Sequence, residues 1–253
     1  MEEVPLTGGN MNAGVVRVGT TVRRPAGPWT PSVHALLAHL HSAGFPGAPR
    51  PLGLDERGRE VLEFIPGDVT WPGRIDLLEP DAAMVAVGRL VRGFHDAVAG
   101  FVPPPGASWQ VLIPADGAEI IAHHDLAPWN LVVDGPRWAF IDWDTAAPGT
   151  RLWDLAYTAN DFTLLTGGVT PAEAARRMRL LADAYGLAEA GRPELVSLLG
   201  PRARAMHDFL AGRAAVGEEP WTRLWREGHG THWRHRADHL ERHHDTWLHA
   251  LLA

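Results

Sequence analysis

The 253-residue chain contains no cysteine, which excludes disulfides and thiolate zinc sites and suits a reducing compartment. No apolar run approaches the roughly 20 residues a bilayer span requires. The opening residues, MEEVPLTGGN, are acidic where a secretory leader would be basic. A cytoplasmic chain without a membrane partner is expected. Positive charge is in deficit: 23 basic against 30 acidic side chains leave a formal net charge of -7. That balance repels nucleic acid and favours cations and basic small molecules. Internal repeats are absent, and the sole low-complexity tract is the short Pro103-Pro104-Pro105 loop. With 45% apolar and 21% charged residues, the chain has the material for one large domain or for two lobes sharing a cleft.

What is present falls into two halves. The first third is punctuated by glycine and proline and carries short β-type runs at 15–18, 20–23 and 61–65. Gly19 makes 14–24 a hairpin. Pro31 opens a segment in which Val33, Leu36, Leu37 and Leu40 recur at helical spacing, and Gly44 ends it. From Pro80 onward helical periodicity dominates, over 82–98, 171–185, 194–216 and 234–252. The pattern predicts an α+β chain: a small antiparallel β lobe over 1–66 and a larger, mainly helical lobe over 67–253, joined near 63–68.

One stretch concentrates polar chemistry. HHDLAPWNLVVDGPRWAFIDWD, residues 123–144, reads as a β-hairpin turning at Asp134-Gly135. His123, Asp125 and Asn130 precede its first strand and Asp142 ends its second, so all four gather at one end. Asn130 and Asp142 offer oxygen ligands suited to magnesium completed by substrate phosphates. Asp125 is placed to accept a proton from a hydroxyl aimed at phosphorus. Phosphoryl transfer needs this division of labour, because its acceleration comes from positioning and charge neutralisation. The spacing has the form of the kinase catalytic loop followed by a metal-binding Asp.

The motifs H-x-D-x-x-P-x-N at 123–130, I-D-W-D at 141–144 and P-G-x-R-L-W-D-L-A at 148–156 together resemble the aminoglycoside phosphotransferases and their choline-kinase and homoserine-kinase relatives. These are small-molecule kinases with a protein-kinase-like, two-lobed fold. The resemblance implies Asp125 as catalytic base, Asn130 and Asp142 as magnesium ligands, and Asp154 as support beneath them. It implies a magnesium- and ATP- or GTP-dependent O-phosphotransferase whose acceptor is a small hydroxylated molecule, with an aminoglycoside or another antibiotic among the candidates. His123 reads as a brace for the loop and His124 as incidental. Asp144 is open between a second cation ligand and a local cap, and Asp154 between support and a helix N-cap.

The sequence departs from the kinase pattern where the nucleotide phosphates should be held. The expected strand lysine and its helix glutamate are replaced by Thr21-Val22-Arg23-Arg24 and by a helix without an acid. Alternation lets one of Arg23 and Arg24 face the cleft; similarity to relatives reading R-R-P favours Arg23. Residues 8–14, with Gly9 and Asn10 at their centre, form a glycine-rich loop able to bring amides to phosphate, and Glu63-Phe64-Ile65 resembles the adenine-binding hinge. Asp161, Glu218 and Glu219 are the acids available to a cationic acceptor, with solvated helix ends as the plain alternative. His235, His239 and His243 recur at helical spacing, yet the charged residues among them and the apolar face of Trp233, Ala237, Leu240, Trp247, Leu248 and Leu251 describe an amphipathic helix. The missing lysine and glutamate leave a second reading, a kinase-like ligand-binding module without phosphotransfer. A third, a metal-dependent hydrolase built on His123, His124, Asp125, Asp142 and Asp144, leaves Asn130 unexplained.

Overall fold

A computed structural model describes residues 2–6, 14–164 and 168–253. The β-type runs of the first third assemble as expected into an antiparallel sheet. Its strands are β1 (Val4–Pro5), β2 (Val16–Val18), β3 (Thr21–Arg24), β4 (Pro51–Leu54) and β5 (Glu60–Glu63), in the order β1-β2-β3-β5-β4. Val18 pairs with Thr21, leaving Gly19 and Thr20 as a two-residue loop, with Gly19 at φ 61°, a conformation glycine adopts without steric penalty. Helix α1 (Thr30–Ser42) lies between β3 and β4 in sequence, has Pro31 in its first turn, and buries Val33, Leu36, Leu37 and Leu40 completely.

Beyond residue 67 come β6 (Asp68–Val69), α2 (Asp81–Val98), β7 (Ile120–Ala122), β8 (Leu131–Asp134), β9 (Arg137–Phe140) and β10 (Ala147–Gly149). Strands β6, β8 and β9 form one small sheet, and β7 pairs with β10. In the β8–β9 hairpin Asp134 faces Arg137, so the two loop residues are Gly135 and Pro136. The helical region follows: α3 (Arg151–Thr163), α4 (Pro171–Tyr185), α5 (Arg192–Ala215), α6 (Trp221–Arg226), α7 (His229–Arg242) and α8 (His244–Leu252). One apolar core runs from Val33 and Leu36 of α1 through Phe94 of α2 and Phe140 of β9 to Trp233 and Trp247. Helices α2 and α4 cross closely at Gly88, where a methyl group would stand 2.5 Å from the Leu181 carbonyl oxygen.

Two helical expectations need correction. The single helix expected over 234–252 is two, broken at His243 (φ -104°, ψ 18°). The buried Trp247 indole donates to the Leu240 carbonyl across this break, 2.9 Å away, so a side chain replaces the intrahelical bond the bend removes. Helix α3 is an addition to the periodic segments, and every residue from Trp153 to Thr163 is buried. Its hydroxyls turn inward to the helix itself, Thr158 donating to the Asp154 carbonyl at 3.0 Å and Thr163 to the Ala159 carbonyl at 2.6 Å, which satisfies polar groups in an otherwise dry setting.

Candidate active site

Asp125 lies in the loop between β7 and β8, and three side chains converge on its carboxylate. Tyr157 of α3 donates its hydroxyl to Oδ1 at 2.9 Å. Asn130 donates its side-chain amide to Oδ2 at 2.7 Å and to the Asp125 carbonyl at 3.0 Å, and the Trp129 indole makes a longer contact to Oδ2 at 3.4 Å. Burial, followed by the negative charge of Asp142, raises the Asp125 pKa to about 6 against the pull of these donors.

The loop is clamped from below. Asp154 accepts the backbone amides of His123 at 3.0 Å and His124 at 2.9 Å and meets Nε2 of His95 at 3.2 Å. Burial pushes its carboxyl up, but the His95 hydrogen bond and the neighbouring histidines outweigh that and hold it down at about 2. The N-cap alternative does not hold: Thr150 caps α3 by accepting the Trp153 amide, and Asp154 lies one turn inside. His123 is fully buried, faces the Ile141 carbonyl at 3.2 Å through Nε2 and the Asp125 amide at 3.3 Å through Nδ1, and packs 4.5 Å from Trp143. Burial lowers its pKa to about 4, so the ring is neutral at pH 7 and acts as a brace. His124 is not incidental. It takes φ 67°, a left-handed conformation uncommon among residues other than glycine. It also packs against Gly149, where an added methyl group would stand 2.9 Å from the ring, and its carbonyl accepts from the buried Arg202 at 3.0 Å.

The two metal-ligand candidates are brought together by the backbone, since the Ile141 amide donates to the Asn130 carbonyl at 2.8 Å. Asp142 follows at φ 61°, ψ 66°, a second left-handed non-glycine residue at the same site. Because Asn130 directs its amide N–H groups to Asp125, its side-chain oxygen is the atom left for a cation. Asp142 remains about one-third exposed and accepts from Arg24 Nη1 at 2.8 Å, while Asp144 accepts from Arg24 Nη2 at 2.5 Å. Asp144 is therefore tied to an arginine and, through a further hydrogen bond, to Trp29. Burial raises its pKa and Arg24 opposes the rise.

The chain has no lysine, since all 23 basic residues are arginine. The cation that reaches the site is Arg24, not the favoured Arg23. In the β3–β5 register Arg24 faces Glu60 and Arg23 faces Val61, so the pleat sends the two arginines to opposite faces. Arg23 points to the opposite face of the sheet, where its half-buried side chain lies 3.7 Å from Asp55. Arg24 is 5% exposed and joins Glu60, Asp142 and Asp144. Burial works against its charge, but these three acids outweigh it and raise the pKa.

The remaining candidates scatter. Gly9 and Asn10 lie outside the described residues. Glu63 takes Arg137 at 3.2 Å and Arg50 at 3.3 Å, linking β5 to β9; Phe64 lies under the Arg17 guanidinium at 3.9 Å and donates its amide to the Thr20 carbonyl; Ile65 packs with Val132 and Ala139. The three acceptor acids do not form one cluster. Asp161 is buried beside Tyr157, where burial raises its pKa to about 7 against Arg236 and Arg202. Glu218 pairs with Arg213 at 2.6 Å, and Glu219 accepts the Arg223 amide at the start of α6. Among the described residues, no group of three histidine or acidic side chains is arranged to hold a metal ion; His239 and His243 pack against Trp247 in tilted and edge-on contacts. Sequence reasoning missed Tyr157, Glu60 and His34. Glu60 could have been found by pairing the two strands in register, whereas Tyr157 had no signal outside the packed structure.

Comparison with known proteins is consistent with this geometry. A model of the phosphotransferase enzyme family matches residues 107–195, a segment that includes Asp125, Asn130, Asp142 and Asp154. The chain is 35% identical to the trifolitoxin immunity protein of Rhizobium leguminosarum bv. trifolii, with 95% of this chain and 98% of that protein aligned. Among solved structures it superposes on a choline/ethanolamine kinase family protein from Mesorhizobium loti with a TM-score of 0.68 at 16% identity, covering 99% of this chain and 92% of the other. It superposes on amicoumacin kinase, in complex with AMP-PNP and calcium, with a TM-score of 0.63 at 13% identity, covering 90% and 86%.

Proposed function

The chain belongs to the phosphotransferase enzyme family, and from that premise we propose that it transfers the γ-phosphate of ATP or GTP to a hydroxyl of a small acceptor. In this reading residues 1–66 carry the nucleotide and residues 67–253 carry the catalytic loop and the acceptor. The observation that carries it is the joint placement of Asp125, Asn130, Asp142 and Arg24: Asn130 holds Asp125 at 2.7 Å while Arg24 holds Asp142 at 2.8 Å.

Magnesium fits the residues present. The side-chain oxygen of Asn130 and the part-exposed carboxylate of Asp142 are hard donors. Glu60, Asp142 and Asp144 outnumber the one guanidinium among them by two charges, the deficit a divalent ion fills. When bound, magnesium neutralises phosphate oxygens and the charge that develops on them. The chain's own groups do the rest. Asp125 Oδ1 has one donor, Tyr157, and so retains acceptor capacity for the substrate hydroxyl; there it orients the nucleophile and takes its proton. Asn130 holds the other oxygen and so sets the direction of attack. Arg24 offers a planar fork to phosphate oxygens. The calcium and AMP-PNP in amicoumacin kinase support nucleotide with a divalent ion as the donor.

The acceptor is a small hydroxylated toxin or antibiotic, a reading supported by the relative whose name assigns it to immunity against trifolitoxin. A polycationic aminoglycoside lacks support from the acids expected to receive it, because Asp161 is buried within α3 and Glu218 and Glu219 have local partners. The test is incubation of the purified chain with magnesium and ATP or GTP across a panel of hydroxylated toxins, antibiotics and metabolites, read by mass spectrometry of the acceptor. Gain of a phosphoryl group that disappears in Asp125→Asn is expected; nucleotide binding with no transfer to any acceptor supports the ligand-binding module instead.

A further inference from the structure

Transfer requires a cation over the phosphates whose position is set before the nucleotide arrives. Kinase-like folds hold that strand cation with a glutamate from a neighbouring helix. Helix α1, with the sequence TPSVHALLAHLHS, contains no acid. An acid nonetheless sits where one is needed. Glu60 is directly opposite Arg24 in the antiparallel register, so both side chains leave the same face of the sheet. It is 1% exposed and accepts from Arg24 Nε. Its other carboxylate oxygen lies 2.9 Å from Nε2 of His34 on α1.

We infer that Glu60 and His34 are the positioning residues for Arg24: a strand acid takes the place of the helix acid, and His34 ties α1 to it. The inference rests on the phosphate-binding role proposed above for Arg24. Its physical content lies in the shape of the guanidinium. Nε is bonded to Glu60, whereas Nη1 and Nη2 reach Asp142 and Asp144. Were Asp142 to ligate magnesium, Glu60 would still hold the group through Nε and Asp144 through Nη2, leaving Nη1 directed at a phosphate oxygen. A lysine ammonium is a point charge without two distinct edges, whereas the guanidinium binds the acid through one nitrogen and keeps separate donors on the others.

Calorimetric titration of the full chain with magnesium-ATP and magnesium-GTP tests the inference, with melting temperatures recorded for each variant. Glu60→Gln is expected to weaken binding about tenfold, the scale of one charge-assisted hydrogen bond. His34→Leu is expected to weaken it severalfold, and His34→Gln, which keeps a donor, to recover it. A purely structural role would lower melting temperatures and leave the dissociation constants of the folded variants unchanged, and that result overturns the inference. If Arg24→Ala loses binding while Glu60→Gln and His34→Leu bind like the wild type, the positioning roles fail and the proposed function stands. If Arg24→Ala binds normally, or the wild type binds neither nucleotide, the functional reading fails and the inference with it. Should Glu60→Gln not fold, the two His34 variants decide: equal binding in both, at the wild-type level, overturns the proposal.

Discussion

The hydroxyl of Tyr157 donates to Oδ1 of Asp125 at 2.9 Å, and its ring lies between two other elements: stacked on Trp233 of α7 at 5.9 Å and capped by the Arg202 guanidinium of α5 at 4.2 Å. Three helices thereby aim one proton at the candidate base. Tyr157→Phe keeps the packing and removes the donor. A hydrogen bond to a charged group contributes about 1.5–3 kcal/mol, so the melting temperature should fall as well as kcat, the latter tenfold or more. An unaltered kcat would remove Tyr157 from the site.

Asp125 itself opposes folding at neutral pH. Its folded pKa, about 6, exceeds the ordinary 3.8, so the native state holds the proton more tightly than the unfolded chain does. Its contribution is favourable below the unfolded value and is lost as pH rises through about 6. Asp125→Asn should therefore abolish turnover, leave nucleotide binding nearly intact, and raise the melting temperature of magnesium-free protein at pH 7. A lower melting temperature at that pH would contradict the burial argument. In the wild type, kcat/KM should climb with pH as the base ionises, with a midpoint below that of the metal-free group, because a cation on Asp142 offsets one cause of the rise.

The opposite sign applies to Asp154. Its folded pKa, about 2, lies below 3.8, so its stabilisation is present above the unfolded value and is lost as pH falls through 2. The shift corresponds to on the order of 2 kcal/mol. Asp154→Asn removes this charge from beneath the His123 and His124 amides. Urea titrations at pH 7 should show a loss of at least that size, and the difference from wild type should narrow below pH 4.

The two adjacent arginines should separate cleanly. Arg24→Ala uncovers three acids in a mostly buried site, and loss of nucleotide affinity is expected. Arg23→Ala removes a half-buried side chain on the opposite face of the sheet, near Asp55, and should leave both affinity and kcat of the folded protein unchanged. Equal effects from both would refute the strand register.

Much of the site was legible along the chain. Asp125, Asn130 and Asp142 are close in sequence, and a hairpin with a tight loop leaves its ends together whatever surrounds it, so spacing alone predicted their meeting. Arg24, Glu60 and His34 are separated by up to 36 positions, and their grouping depends on which residue of β3 faces which residue of β5. A one-residue slip would have put Arg23 in the site. Helix α3 is buried on every side from Trp153 to Thr163, a placement that depends on the elements packed around it.

By itself, then, the sequence determined the α+β class, the hairpin with its three acidic and amide groups, and most of the helices, because these follow from local turn chemistry and from apolar spacing within a few residues. Tertiary structure alone decided which arginine enters the cleft, that a strand acid replaces the missing helix acid, and that Tyr157 reaches Asp125. Each of these is a contact between elements distant along the chain, set by register and by close packing of the core, and neither leaves a mark in the order of neighbouring residues.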